Sequence, residues 1–177
     1  MRQVLLLRGI NLGPSRRVAM ADLRELLSGA GYPDVRTYVQ SGNVVLGSDA
    51  APAQLERDAG QLISARFGFD VTVIVRTRDE LAEVVARNPL AAVVTEPKRY
   101  QVSFMATALA RDRVAELEAV AQAPEHLVVI DREAYAWHPE GVARSKLWNA
   151  LAGRGLGVTA TARNWTTVST LLAMTDE

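Results

Sequence analysis

The spacing of hydrophobic and polar positions changes repeatedly along the chain, and the order of these changes occurs twice. Residues 3–87 predict strand, helix, strand, strand, helix, strand, helix, and residues 100–174 predict the same order again. The two halves share little residue identity, so the repetition lies in the order of the elements. A repeated order at this spacing constrains the fold before any motif is considered.

In the first half, the apolar run Gln3–Leu7 is typical of a buried strand. Apolar residues at helical spacing predict two helices, one beginning near Met20 and one beginning at Pro52. Between these helices, Val35–Val39 predicts a strand, and Ser41-Gly42-Asn43 turns the chain back into the next strand. The first half therefore begins with a strand, a helix and a hairpin.

Cap residues mark the last helix of each half. Thr77 and Glu80 match a capping box, in which each side chain satisfies a free backbone amide at the start of a helix. In the second half, Tyr100–Ala106 predicts a strand and Val158–Thr161 predicts a short one. Asn164 then caps the final helix. Both halves thus end on a strand followed by a helix.

The order β-α-β-β-α-β is that of the ferredoxin-like unit. The predicted fold class is therefore α+β, with two ferredoxin-like subdomains that each carry one extra C-terminal helix. Pro89 and Pro97 punctuate residues 89–98, and Asn88 directly precedes them. We predict that this segment connects a first subdomain at 1–88 with a second subdomain at 99–177.

Composition excludes several classes of site. The chain has 177 residues, no cysteine and two histidines, which excludes disulfides, thiolate catalysis, cysteine-ligated zinc and a multi-histidine metal site within one chain. Its 20 basic and 20 acidic residues argue against a protein that coats nucleic acid through charge alone. With neither a signal-peptide pattern nor an apolar membrane span, the expected location is cytoplasmic and no membrane association is expected.

Two segments of the first half place polar side chains among glycines at the ends of predicted strands. In Arg8–Gly13, the glycines let backbone amides approach an anion. In Tyr38–Asn43, a glutamine and a serine beside a turn can read a ligand by hydrogen bonds. The alternative interpretation is conformational, because these glycines also suit a tight connection and a hairpin turn. The candidate ligand-binding residues here are Arg8, Asn11, Gln40, Ser41 and Asn43.

The second half contributes two further polar segments within a basic stretch. Between Gly141 and Thr175 every charged residue is a base, namely Arg144, Lys146, Arg154 and Arg163. Such a stretch can hold a phosphate or a carboxylate, although a solvated basic face with Asn164 as a helix cap is the alternative interpretation. The candidate ligand-binding residues here are Ser145, Lys146, Arg163 and Asn164.

In this order, the four segments resemble DUF1697, a bacterial family of unknown function. The matching residues are Leu7–Gly13, Thr37–Val44, Gly141–Leu147 and Thr159–Val168. The resemblance spans nearly the whole chain and implies an α+β protein built from two ferredoxin-like subdomains. It implies no established activity, cofactor or catalytic residue. At Ala162 the family more often has a second threonine.

The leading functional hypothesis is a binding protein for an anionic ligand, either a nucleotide or a short nucleic acid. Its site would be a polar cleft between the subdomains, formed where the four segments converge. One alternative is an enzyme that acts without a cofactor on a phosphate-bearing small molecule, and another is a protein-interaction module. No Ser/His/Asp set with family spacing is visible, and His138 is interpreted as a turn residue. The sequence identifies no catalytic residue, no cofactor and no oligomeric state.

Overall fold

Two four-stranded antiparallel sheets form the framework of the protein, one in each half of the chain. The structure is a computed structural model that describes residues 1–177 except for the side chain of Arg154. Arg154 is one of the bases of the basic stretch, and the side-chain contribution of this residue lies outside what the structure describes. The predicted α+β class is confirmed, with two ferredoxin-like subdomains and a helix after the last strand of each.

The first half contains four strands and three helices. The strands are β1 (Arg2–Arg8), β2 (Arg36–Tyr38), β3 (Asn43–Gly47) and β4 (Thr72–Thr77), and the helices are α1 (Met20–Gly29), α2 (Pro52–Phe67) and α3 (Arg78–Arg87). The sheet order is β2-β3-β1-β4, which makes β1 a central strand. Leu5 of β1 lies opposite Val44 of β3 on one side and Val75 of β4 on the other.

The second half repeats this arrangement. Its strands are β5 (Tyr100–Met105), β6 (His126–Ile130), β7 (Glu133–Trp137) and β8 (Ala160–Asn164), and its helices are α4 (Arg111–Val120), α5 (Lys146–Ala152) and α6 (Trp165–Thr175). The sheet order is β6-β7-β5-β8, so β5 takes the central place that β1 has in the first sheet.

The chain forms two compact units whose boundaries fall inside α3 and α6. The first unit is Met1–Glu83 with Thr170–Glu177, and the second unit is Val84–Ser169. The subdomain bounds expected from the sequence, 1–88 and 99–177 with a connection at 89–98, stay a prediction.

Each unit has an apolar core between one sheet face and its helices. In the first unit, alternate residues of the central strands pack against α1 and α2, as period-two side-chain alternation requires. The members with no exposed surface are Leu5, Leu23, Leu27, Val44, Leu46, Leu55, Ala59, Ile63 and Val75. In the second unit, Met105, Ala134 and Ala136 pack with Leu117 and Leu147 in the same way.

The two halves correspond residue by residue where the last strand meets the last helix. Val4 pairs with Arg76, and Val102 pairs with Arg163, so a buried arginine takes the same register position in both sheets. The next residue caps the following helix in each half. Thr77 makes the reciprocal capping box with Glu80, as predicted, and Asn164 Oδ1 accepts a hydrogen bond of 2.9 Å from the amide of Thr167.

Two strands differ from their predicted bounds. Strand β2 ends at Tyr38 because Val39 has a φ of 52°, which lies outside the extended region that a strand needs. Strand β8 begins later than expected and continues to Asn164, since its pairing with β5 extends to Gln101 opposite Asn164. Among the described residues, no helix has both the length and the apolar character needed to cross a membrane.

Position 42 requires glycine for two reasons, its left-handed backbone conformation and the lack of room for a Cβ atom. Its φ is +78°, and a Cβ atom there would lie 2.6 Å from Leu7 Cβ and 2.9 Å from Ile10 Cδ1. We expect Gly42→Ala to lower the free energy of unfolding by about 2–4 kcal/mol, from strain added to overpacking. Gly13→Ala is the matched control, because a Cβ atom there meets nothing within 4 Å. Equal urea midpoints for the two variants would contradict this assignment.

Candidate functional site

A surface hollow of about 570 Å³ lies where the loop after β1 meets the turn between β2 and β3. We call it the Arg17 hollow. Its lining residues are Ile10, Asn11, Leu12, Arg17, Val18, Ala19, Gln40 and Ser41. Three of the predicted ligand-binding residues, Asn11, Gln40 and Ser41, are therefore brought together here.

Asn11 holds the loop and the turn in this arrangement. Its Nδ2 donates to the carbonyl of Val18 at 2.9 Å and to the carbonyl of Gln40 at 2.8 Å, and its Oδ1 accepts from the amide of Val18 at 2.9 Å. The backbone of Asn11 is left-handed, with a φ of 55°, which asparagine tolerates better than most residues. Asn11 therefore shapes the hollow, because its side-chain amide is occupied by backbone groups.

The two neighbouring arginines of this loop have different environments. Arg16 donates from Nε to the carbonyl of Gly9 at 2.8 Å and from Nη2 to the carbonyl of Asp70 at 2.7 Å, and it stacks on Phe69 with its Cζ 4.8 Å from the ring centroid. Arg17 is exposed, lines the hollow and has no hydrogen-bonding partner among the described side chains and backbone groups. Only Arg17 of this pair presents an unoccupied guanidinium to a ligand.

The turn beside the hollow combines a buried asparagine with a strained, exposed valine. Asn43 is fully buried and donates from Nδ2 to the carbonyl of Tyr38 at 3.1 Å, so its role is to fix the turn. Val39 is 51% exposed with a φ of 52°, a conformation that is rare for a β-branched residue. Leu12 is 86% exposed. Residues held in sparsely populated backbone conformations cluster at functional sites, which makes this turn a candidate for one.

The other predicted residue of the first unit lies apart from this lining. Arg8 is the last residue of β1, is half-buried and does not line the Arg17 hollow.

Gln40 contributes to the Arg17 hollow in two ways. Its carbonyl accepts from Asn11, whereas its exposed side chain has no hydrogen-bonding partner within the described part of the chain.

In the second unit, Ser145 belongs to a cluster of polar side chains that we call the Glu125 cluster: Glu125, His138 and Ser145. The hydroxyl of Ser145 donates to Glu125 Oε2 at 2.6 Å, and Nδ1 of His138 contacts the same oxygen. Nδ1 of His138 lies 3.3 Å from the Ser145 oxygen, which also accepts the amide of Trp148 at 3.0 Å and so caps α5. His138 is fully buried.

The Glu125 cluster borders a second hollow of about 490 Å³. Its lining comes from the segment before β6 and from the connection between β7 and α5, and includes Glu125, Arg144 and Ser145. Lys146, another predicted residue, is exposed at the first position of α5 but does not line this hollow. We call this concavity the Glu125 hollow.

The last two predicted residues lie on β8 and take part in local hydrogen bonds. Arg163 is 8% exposed and donates from Nη1 to Thr161 Oγ1 at 2.7 Å and to the carbonyl of Ala162 at 2.8 Å. Burial lowers the pKa of Arg163 to about 10. Asn164 caps α6. That all nine selected residues share one cleft stays a prediction.

The residues available for a metal ion are few. Among the described side chains, no group of three or more His, Asp or Glu residues is placed to hold a metal. Glu125 and His138 provide two possible ligands, fewer than the three or four protein ligands of zinc sites.

The family model described as "Protein of unknown function (DUF1697)" matches residues 1–135. The chain belongs to the DUF1697 family. The predicted family is therefore confirmed, and the matched residues include the first two of the four segments, Leu7–Gly13 and Thr37–Val44. No curated protein matches the chain.

A solved structure supports the DUF1697 fold assignment over the whole chain. The chain is similar to the conserved bacterial protein SP0830 from Streptococcus pneumoniae, with 25% sequence identity and a TM-score of 0.77. The similarity covers 99% of this chain and 98% of that one. The repeated ferredoxin-like architecture is thus shared with an experimentally determined structure.

Sequence reasoning about this DUF1697 protein missed Glu125 and His138. Glu125 directly precedes β6 and His138 directly follows β7, and His126 pairs with Trp137 at the facing ends of those strands. A correct strand register would have placed the two side chains near each other. Their separation of 13 positions matches no standard motif, so spacing alone carried no signal.

We expect Asn11→Ala to lower the free energy of unfolding by about 1–3 kcal/mol, because it removes two hydrogen bonds to Val18 within the loop and one to Gln40 in the turn. Gln40→Ala is the matched control on the same hollow. Since that side chain has no partner among the described residues, the change should stay within about 0.5 kcal/mol. Urea unfolding measures both variants, and similar losses would show that Asn11 has no special structural role.

Proposed function

We propose that this DUF1697 protein binds an anionic small molecule in the Arg17 hollow, and that the ligand is a nucleotide. The observation that carries this is the contrast within the hollow. Its shape is maintained by Asn11, whose polar atoms are occupied, while the side chains of Arg17 and Gln40 are exposed and have no hydrogen-bonding partners among the described residues. Polar groups that are held in a concavity and do not contribute to the fold are available for a ligand.

The charge of the loop suits a phosphate group. The sequence from Arg8 to Ala19 contains three arginines and no acidic residue. Arg16 is engaged by the backbone, so Arg17 is the lining residue that supplies positive charge. A guanidinium binds phosphate through two parallel hydrogen bonds, which makes arginine well suited to this group.

The remaining lining suits the flat, partly apolar part of a nucleotide. Ile10 and Val18 form buried apolar walls, and the exposed Leu12 lies on the same hollow. The carboxamide of Gln40 has both donors and an acceptor, which complement the hydrogen-bonding edge of a base. Apolar walls with a few oriented polar groups are typical of small-molecule sites.

A mononucleotide fits better than a longer nucleic acid. Ferredoxin-like proteins that bind RNA stack bases on aromatic residues exposed on the sheet. Here Tyr100 and Tyr135 of the second sheet are 1% and 0% exposed. These two tyrosines of the second sheet are therefore not available for stacking, which supports a small ligand over a longer nucleic acid.

We expect nucleoside monophosphates to bind the wild-type protein in isothermal titration calorimetry, and Arg17→Ala to weaken that binding about tenfold or more. A charge-assisted hydrogen bond contributes about 1.5–3 kcal/mol, and each 1.4 kcal/mol corresponds to a factor of ten. The ligand panel contains AMP, GMP, CMP and UMP, with inorganic phosphate as the arm that lacks a base.

Arg57→Ala is the matched control, since Arg57 is an exposed arginine of the same unit that does not line the hollow. Its affinity for the same ligands should equal that of wild type. Wild-type protein that binds none of the four nucleotides, or equal losses in both arginine variants, would exclude this function for the hollow.

A further inference from the structure

The carboxylate is the central group of the Glu125 cluster. The Ser145 hydroxyl donates to Glu125 Oε2 at 2.6 Å, within the range of a short hydrogen bond between a hydroxyl and a carboxylate. The proton that a nucleophilic serine must lose is therefore already directed at a base. The side chain of Glu125 is 18% exposed and Ser145 is 7% exposed, and both residues line the Glu125 hollow.

The Ser145 oxygen keeps the electron pair that an attack requires. A hydroxyl oxygen has two lone pairs. The amide of Trp148 uses one of them, at 3.0 Å. When Nδ1 of His138 donates its proton to Glu125, no other donor among the described residues occupies the second lone pair. The capping bond also fixes the position of the oxygen, which favours a defined attack geometry.

His138 acts through Glu125 as a positioning residue. Its Nδ1 contacts the carboxylate oxygen that receives the serine proton, and its ring packs edge-on against Trp148 with centroids 5.9 Å apart. Its Nε2 is buried and has no hydrogen-bonding partner among the described residues. In a Ser-His-Asp triad the imidazole accepts the serine hydrogen bond, whereas here Ser145 donates to Glu125 at 2.6 Å and Nδ1 of His138 is farther from the serine oxygen, at 3.3 Å. Glu125 is therefore the group that is placed to accept the serine proton.

We propose that the Glu125 hollow is a hydrolytic site for small carboxylic esters, with Ser145 as the nucleophile and Glu125 as the general base. This site is in the second unit and does not depend on nucleotide binding in the first. A carboxylic ester is the appropriate class because the cluster offers a hydroxyl nucleophile and one proton-transfer group and needs no further reactant except water.

The reaction is balanced in two steps. Ser145 Oγ forms a bond to the carbonyl carbon while its proton moves to Glu125, and the bond from that carbon to the alcohol oxygen then breaks as Glu125 returns the proton to the leaving alcohol. Water next attacks the acyl-serine and gives its proton to Glu125, and the Ser145 oxygen regains a proton when the acid departs. The net change is ester and water to acid and alcohol, with Glu125 and Ser145 restored.

A fluorophosphonate probe followed by peptide mass spectrometry tests the nucleophile directly. In this labelling reaction an oxygen–phosphorus bond forms at serine and fluoride leaves. We expect modification of Ser145 in the wild-type protein, although it is 7% exposed. Ser15 and Ser28 are internal controls, because both are exposed and neither has a hydrogen-bonded carboxylate among the described contacts. Labelling that follows exposure, with Ser15 and Ser28 modified and Ser145 not, would overturn the proposal.

Variants of the base and of the positioning residue complete the test. Glu125→Gln keeps the side-chain shape, and we expect it to slow both Ser145 labelling and p-nitrophenyl acetate hydrolysis about 100-fold or more, as for loss of a general base. His138→Asn keeps a donor near the position of Nδ1 and should restore labelling that His138→Ala loses. Circular dichroism confirms that each variant is folded. An unchanged labelling rate in folded Glu125→Gln would exclude Glu125 as the base.

Discussion

Strand register is the constraint on which both candidate sites depend. Leu6 pairs with Asn43. The loop that follows β1 and the turn that precedes β3 therefore lie at the same end of two neighbouring strands of the first sheet. His126 pairs with Trp137, so the residue before β6 and the residue after β7 are neighbours in the second sheet. A slip of one residue would move every core side chain to the opposite face, and burial of the apolar face prevents it. The apolar core thus fixes the positions of polar groups that are not themselves part of the core.

Polar residues at these strand ends divide into those that maintain the backbone and those that remain available. Asn11, Arg16 and Asn43 bind carbonyl groups of the loop and turn, which would otherwise lie partly buried without partners. Arg17 and Gln40 are next to them and make no such bonds within the described residues. Residue type does not separate the two groups, since each contains an arginine and an amide. Their difference is visible only in the hydrogen bonds.

The repeated architecture extends to the placement of particular side chains. Arg76 and Arg163 are buried at equivalent register positions, and each precedes a residue that caps the following helix. The two halves nevertheless carry different polar groups at their loop ends: an available arginine and glutamine in the first, and a carboxylate, an imidazole and a hydroxyl in the second. A common fold with unlike sites is expected, because the core determines the fold and the connecting loops determine the chemistry.

Local patterns in the sequence determined the order of the elements, the ferredoxin-like class, the capping box at Thr77 and the cap at Asn164, because each depends on residues close together in the chain. The sequence also singled out the loop at Asn11 and the turn at Gln40, but it could not distinguish a structural amide from an available one. Tertiary structure alone decided that Asn11 bridges to Gln40 across 29 positions and that Glu125 meets His138 and Ser145. These contacts follow from the pairing of strands and the packing of the core, which bring together residues that no local spacing relates.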